Sequence, residues 1–169
     1  MGRQKKSRIQ PSEEGLAYAK VAAVKYVKLR KSCMDFEQRH PSLLQRGKVR
    51  ASAFEELECL SEDTFVMPDL ASCDAPQMER YLADREKVYL FEYGMHRLED
   101  TIRPIAESLF IKKLSWKETM RMQNVSRMTV ARYRNESLRQ IAFIVDSYME
   151  WKARVLFDGK RDKKSKQEL

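Results

Sequence analysis

Between Leu114 and Arg134 the chain reads as two short polar-apolar segments around a turn, with arginines crowded onto the second. Arg127, Arg132 and Arg134 follow a serine, Ser126, that is a good helix cap because its side chain can accept from the exposed amides of the next turn. A guanidinium fork matches guanine O6 and N7 in two parallel hydrogen bonds, and an exposed methionine or alanine can meet a thymine methyl. The chemistry these residue types offer is therefore non-covalent recognition of duplex DNA. Arg127, Met128, Ala131, Arg132 and Arg134 are the expected base-reading side chains, with Lys112, Lys113, Lys117, Arg121 and Ser126 expected on phosphates, which set orientation and carry little sequence information. No nucleophile–base pairing, glycine-rich phosphate loop or metal-ligand spacing is present in the sequence, so no enzyme, cofactor or metal is expected. His40 and His96 stand alone. Cys33, Cys59 and Cys73 are odd in number and contain no Cys-x-x-Cys pair, which fits free thiols in a reducing cytoplasm.

The elements that position these residues can be read from local signals. Ser115 with Glu118 is a capping box, so a helix should open at Trp116. Thr119, Met120 and Gln123 are its inward candidates. Asn124 should close it, since asparagine tolerates the left-handed backbone of a sharp turn. Val125 fills the corner, and Thr129, Val130 and Tyr133 form the inner side of the second helix.

The stretch 98–141 resembles region 4 of sigma-70 factors, on Ile105, Leu109, Phe110 and Ile111, then Leu114-Ser115-Trp116 with Glu118, then Ser126, Thr129 and Val130, and Leu138 with Ile141 in the apolar tail. In size and layout the chain resembles the ArpU and RinA group of phage late-gene regulators. The likeness implies a helix-turn-helix and a sequence-specific transcriptional regulator that activates with RNA polymerase, in a bacterial or phage-infected cell. Met120, Gln123 and Asn124 depart from the usual small residue, leucine and glycine. The alternative from another class is a DNA-packaging protein of the small-terminase kind, or an architectural DNA-binding protein.

Charge is unevenly distributed along the chain. The net charge is +8, but residues 1–53 carry +9, residues 54–100 carry −9 and residues 101–169 carry +8. Between Lys112 and Arg139 there are eight basic and two acidic side chains. Phosphate neutralisation supplies most non-specific DNA affinity, so the basic excess falls where the DNA reading requires it. Three roles remain open for the acidic block: contact with RNA polymerase, pairing with the basic segment 1–53, or solubility.

Few glycines and prolines, 43% apolar content and long helix-favouring runs predict an all-α bundle with a C-terminal helix-turn-helix and an extended recognition helix. The expected layout is a disordered basic tail over 1–11, an N-terminal helical region over 12–73, a helical region over 74–157, and a second basic tail over 158–169. Within it, Leu16, Ala19, Ala23, Tyr26, Cys33 and Phe36 predict a helix from Ser12 to Gln38. A short helix at 52–60 with Phe54, Leu57 and Leu60 on one side, then a loop at 61–73, should follow. Asp74 with Gln77 should cap a second long helix, in which Gly94 is a weak point. Pro104 places the start of the next near Ile102. A seven-residue repeat through Ser137, Ile141, Ile144, Tyr148, Trp151 and Val155 predicts that the recognition helix continues to Phe157. That stripe can pack on the N-terminal helix, or pair 137–157 with a second copy as a homodimer. No membrane span or secretory leader is expected.

Overall fold

A computed structural model of the chain describes residues 10–40 and 75–165. The short helix, its loop, Gly47 and the Asp74 cap expected between 41 and 74 lie outside them. The described residues are helical: α1 (Glu13–Arg39), α2 (Ala75–His96), α3 (Arg103–Ala106) running into a π-helical turn (Glu107–Ile111), α4 (Trp116–Gln123) and α5 (Arg127–Ser165). This is the all-α bundle expected. None of these helices is long and apolar enough to cross a membrane.

Ser12 starts α1 by accepting from the Gly15 amide at 2.9 Å. The same serine is held from the far end of the chain: its own N–H and hydroxyl donate to the two oxygens of Asp146 on α5, at 2.7 and 2.5 Å. The carboxylate thus sits at the positive end of α1, where a negative charge is favoured. Gly15 makes this approach possible, since a Cβ there would collide with the Asp146 carboxylate. Gly94 serves the same purpose between α2 and α5. A Cβ would stand 2.8 Å from Ile141 Cγ1, so the position read as a weak point is a point of close helix contact.

The core runs between α1, α2 and the middle of α5, through Ala19, Ala22 and Tyr26, through Val88, Leu90 and Phe91, and through Leu138, Ile141 and Val145. An aromatic line ties the layers: Tyr26 lies 4.8 Å from Phe91, and Phe91 meets Phe110 of the π-helical turn edge-on at 6.1 Å. The heptad-like stripe of α5 is therefore used inside the chain, with Ser137, Leu138, Ile141 and Val145 buried and Tyr148 and Trp151 half-buried.

Around that core the seams are closed by one repeated device. A tyrosine and a cation four residues later on one helix grip a glutamate on another. Tyr26 donates to Glu92 at 2.7 Å with Arg30 at 3.6 Å. Tyr81 donates to Glu37 at 2.7 Å with Arg85 at 3.3 Å. Tyr148 donates to Glu86 at 2.9 Å with Lys152 at 2.6 Å. The spacing of four puts both donors on one helix face. The partly exposed ion pairs add little alone, whereas the phenol bonds are to ionised acceptors and are the stronger part. Two carboxylates of the acidic block, both on α2, are accounted for in this way: Glu86 is held from α5 and Glu92 from α1.

The end of α5 corrects the expected boundary. The helix continues to Ser165 rather than stopping at Phe157, so 158–165 is helical and not a tail. Gly159 is a common stop signal, but no proline follows Phe157 and the lysines and arginines beyond it are good helix formers, so the helix runs through the glycine.

Candidate nucleic-acid interface

The corner between α4 and α5 is built from local bonds. Ser115 caps α4 by accepting from the Glu118 amide at 3.3 Å, and Glu118 accepts in return from the Ser115 N–H at 2.8 Å and its hydroxyl at 2.6 Å. These bonds hold the Glu118 carboxyl below its ordinary pKa, so the acid is turned onto its own cap. Asn124 ends α4 in the left-handed conformation, φ 51° and ψ 47°. The Val125 amide then donates back to the Met120 carbonyl at 3.1 Å, closing the turn in the manner of a Schellman motif. Ser126 caps α5 by accepting from the Thr129 amide at 3.2 Å. Thr119 and Val130 are fully buried, and Met120, Gln123, Thr129 and Tyr133 half-buried, as the inward faces require.

Gln123, the departure from an expected leucine, has a partner. Its amide nitrogen donates to the Ser108 hydroxyl at 3.3 Å, and that buried serine donates to the Pro104 carbonyl at 2.7 Å. A polar pair thus replaces an apolar contact between α4 and the π-helical turn. Nothing in periodicity pairs residues 108 and 123, which only the fold brings together.

The expected base-reading residues lie on the outward side of α5. Arg127, Met128 and Arg132 are exposed, Met128 at 81%, while Ala131 and Arg134 are half-buried. Arg127 places its guanidinium 5.9 Å from the Trp116 ring centre, and Arg132 lies 4.9 Å from the Tyr133 ring. Arg134 reaches the Asn135 side chain at 3.4 Å. Trp116, which no sequence signal marks as part of the site, is exposed at the start of α4, and its contact with Arg127 crosses the turn. Lys112, Lys117, Arg121 and Ser126 are exposed on the flank. The second acid of this region, Glu136, binds Arg139 through two bonds of 3.0 and 2.6 Å, so that arginine is matched locally.

Lys113 departs from its expected place. Its backbone is left-handed at φ 54°, and its ammonium donates to the Ala23 and Val24 carbonyls of α1 at 3.2 and 3.0 Å. Desolvation there lowers its pKa. A lysine is strained in this conformation by roughly 1–2 kcal/mol. The strain is held because the chain must leave the π-helical turn sharply: the Lys112 amide bonds to the Glu107 carbonyl at 2.9 Å and the Leu114 amide to the Ser108 carbonyl at 2.9 Å. The lysine is directed at α1 rather than at a phosphate.

In comparisons with known proteins, no family model, no curated relative and no solved structure matches the chain.

Proposed function

We propose that α4 and the first turns of α5 form a helix-turn-helix that reads duplex DNA, and that the protein is a sequence-specific transcriptional regulator of phage or prophage type. The observation that supports this most is the outward exposure of Arg127, Met128 and Arg132 directly after the Ser126 cap, in the part of the second helix that enters the major groove in this motif. A surrounding set of exposed cations, Lys112, Lys117 and Arg121, is placed to hold phosphates. The likeness of 98–141 to sigma region 4 makes RNA polymerase the partner of an activator built this way, in the cytoplasm of a bacterial or infected cell. A homodimer through the 137–157 stripe is not part of this reading, because Ser137, Leu138, Ile141 and Val145 of that stripe are buried within the chain's own core.

The test is selection of bound duplexes from a random pool at about 150 mM salt, where non-specific binding is already weakened, followed by two single substitutions. Arg132→Ala should relax preference at one base position, at a cost of about 1–3 kcal/mol for the preferred base. Lys117→Ala should weaken all duplexes alike and lower the salt slope by about one. If no motif is recovered, or if both variants bind like the parent, the reading is wrong.

A further inference from the structure

The outward face of α1 carries side chains that a solvated helix has no reason to keep. Val24, Val27 and Met34 are 65%, 43% and 49% exposed. Valine loses side-chain freedom in a helix, and these valines gain no full burial in return. Val27 and Met34 line a groove of about 420 Å³ together with Arg30, Lys31 and, from the π-helical turn, Ile111. Exposed Lys20, Lys28 and Lys31 border the same face. It is an apolar strip whose margin is basic apart from Asp35, which also lines the groove.

We infer that this groove is occupied in cis by residues 54–70 of the same chain, which lie outside the described residues. Two observations single out that occupant. The first is complementarity: 54–70 holds Glu55, Glu56, Glu58, Glu62, Asp63 and Asp69 and no lysine or arginine, interleaved with Phe54, Leu57, Leu60 and Leu70. The second is where the chain leaves and returns. Phe36 stacks on Tyr81 at 4.6 Å and Tyr81 bonds Glu37, so the end of α1 and the start of α2 sit side by side. The two ends that residues 41–74 must join therefore lie next to each other, at the end of α1 that also carries Met34 and Gln38 of the groove. From His40, Val24 lies about 24 Å back along α1, while the stretch from His40 to Phe54 can span up to about 46 Å. A tether of this length gives an effective concentration on the order of millimolar, so a weak apolar contact is sufficient. The inference does not use the DNA reading and stands or falls without it.

Zero-length carbodiimide coupling of the full chain, read by mass spectrometry of its peptides, tests this. An equal mixture of isotope-labelled and unlabelled protein separates links within one chain from links between two. Glu86 and Lys152, 2.6 Å apart, provide the internal control. Links within one chain from Glu55, Glu56, Glu58, Glu62 or Asp63 to Lys28 or Lys31 are expected. In the Val24→Ser, Val27→Ser double variant, altered only at exposed positions and adding no carboxylate beside Lys28 or Lys31, their yield should fall about tenfold, the weight of about one covered valine, with the control unchanged. Three results overturn the inference: the control link without any link from 54–70 to α1, links that join labelled to unlabelled chains and so place a second copy in the groove, or a yield that the double variant leaves unaltered.

Discussion

Alkaline pH should weaken this bundle through its buried phenols. Tyr18, Tyr26, Tyr81 and Tyr148 all hold their protons above the ordinary phenol value, first because burial disfavours the phenolate and then because Glu86, Glu92 or Glu37 lies beside them. In the unfolded chain a phenol ionises near pH 10, whereas in the fold it stays protonated, so this stabilisation is complete below about pH 10 and is lost as the pH rises toward the folded values. One pH unit above the free value, the unfolded state gains about 1.4 kcal/mol per tyrosine. Discounting by half for screening by solvent around the seams leaves about 0.7 kcal/mol each. Four such groups then remove about 3 kcal/mol, a large part of the roughly 5–15 kcal/mol that holds a domain together. The controlled perturbation is Tyr26→Phe, which keeps the ring 4.8 Å from Phe91 and removes only the hydroxyl that donates to Glu92. At neutral pH the variant should be less stable by about 1 kcal/mol, the worth of one bond to a partly solvated carboxylate. Between about pH 9 and pH 11 it should lose less than the parent, so that the two urea-unfolding curves converge by about 0.7 kcal/mol. Ultraviolet titration of tyrosinate in the folded protein provides the independent check. A gap between parent and variant that stays constant across this range would refute the reasoning.

Gly94→Ala gains helix propensity but presses a methyl into fully buried Ile141; overpacking of about 1–3 kcal/mol against a gain of about 1 kcal/mol predicts a net loss of about 1 kcal/mol by urea denaturation. Asp146→Ala deprives the Ser12 N–H and hydroxyl of their acceptors, and should cost about 1–2 kcal/mol. Its local sign is faster amide exchange in the first turn of α1. Lys113→Ala should destabilise by about 1 kcal/mol through loss of the bonds to α1, and Lys113→Gly should recover about 0.5–1 kcal/mol of that because glycine adopts the left-handed backbone freely. Equal stability of the alanine and glycine variants would remove backbone strain from the account.

The parts of the fold that were legible in the sequence are those fixed by contacts within one turn of chain. Ser12, Ser115 with Glu118, Asn124 and Ser126 each act on an amide or carbonyl three to five residues away, so their spacing alone announces the cap or turn. The stripe of α1 was legible for the same reason. What was not legible depends on which helix lies beside which. Gly94 looks like a weak point until Ile141 is placed against it, and Gly15 looks incidental until Asp146 arrives from α5. Gln123 looks misplaced until Ser108 is opposite. The left-handed Lys113 had no signal, because neither glycine nor asparagine marks it, the wide π-helical turn before it has no residue signature, and the α1 carbonyls that hold its ammonium are about ninety residues away. One signal was available and went unread: Tyr26 with Arg30, Tyr81 with Arg85 and Tyr148 with Lys152 repeat one spacing, and each pair faces a glutamate across a seam.

The continuity of α5 explains why the close approach at Gly94 matters beyond stability. The side chains proposed to enter a DNA groove leave this helix at Arg127, Met128 and Arg132, and the same helix is locked into the core from Ser137 to Val145. Between the two there is no break, glycine or proline at which a rotation could be absorbed. Each residue advances a helix by about 100°, so a slip of one position at Ile141 would swing the exposed arginines by the same angle. The fit of Ile141 against Gly94, and of Asp146 against the Ser12 cap, sets the direction in which those arginines point. A core substitution that keeps volume but shifts this register should therefore alter base preference, whereas one that only opens a cavity at Leu138 should lower stability and leave the preference of the folded protein intact.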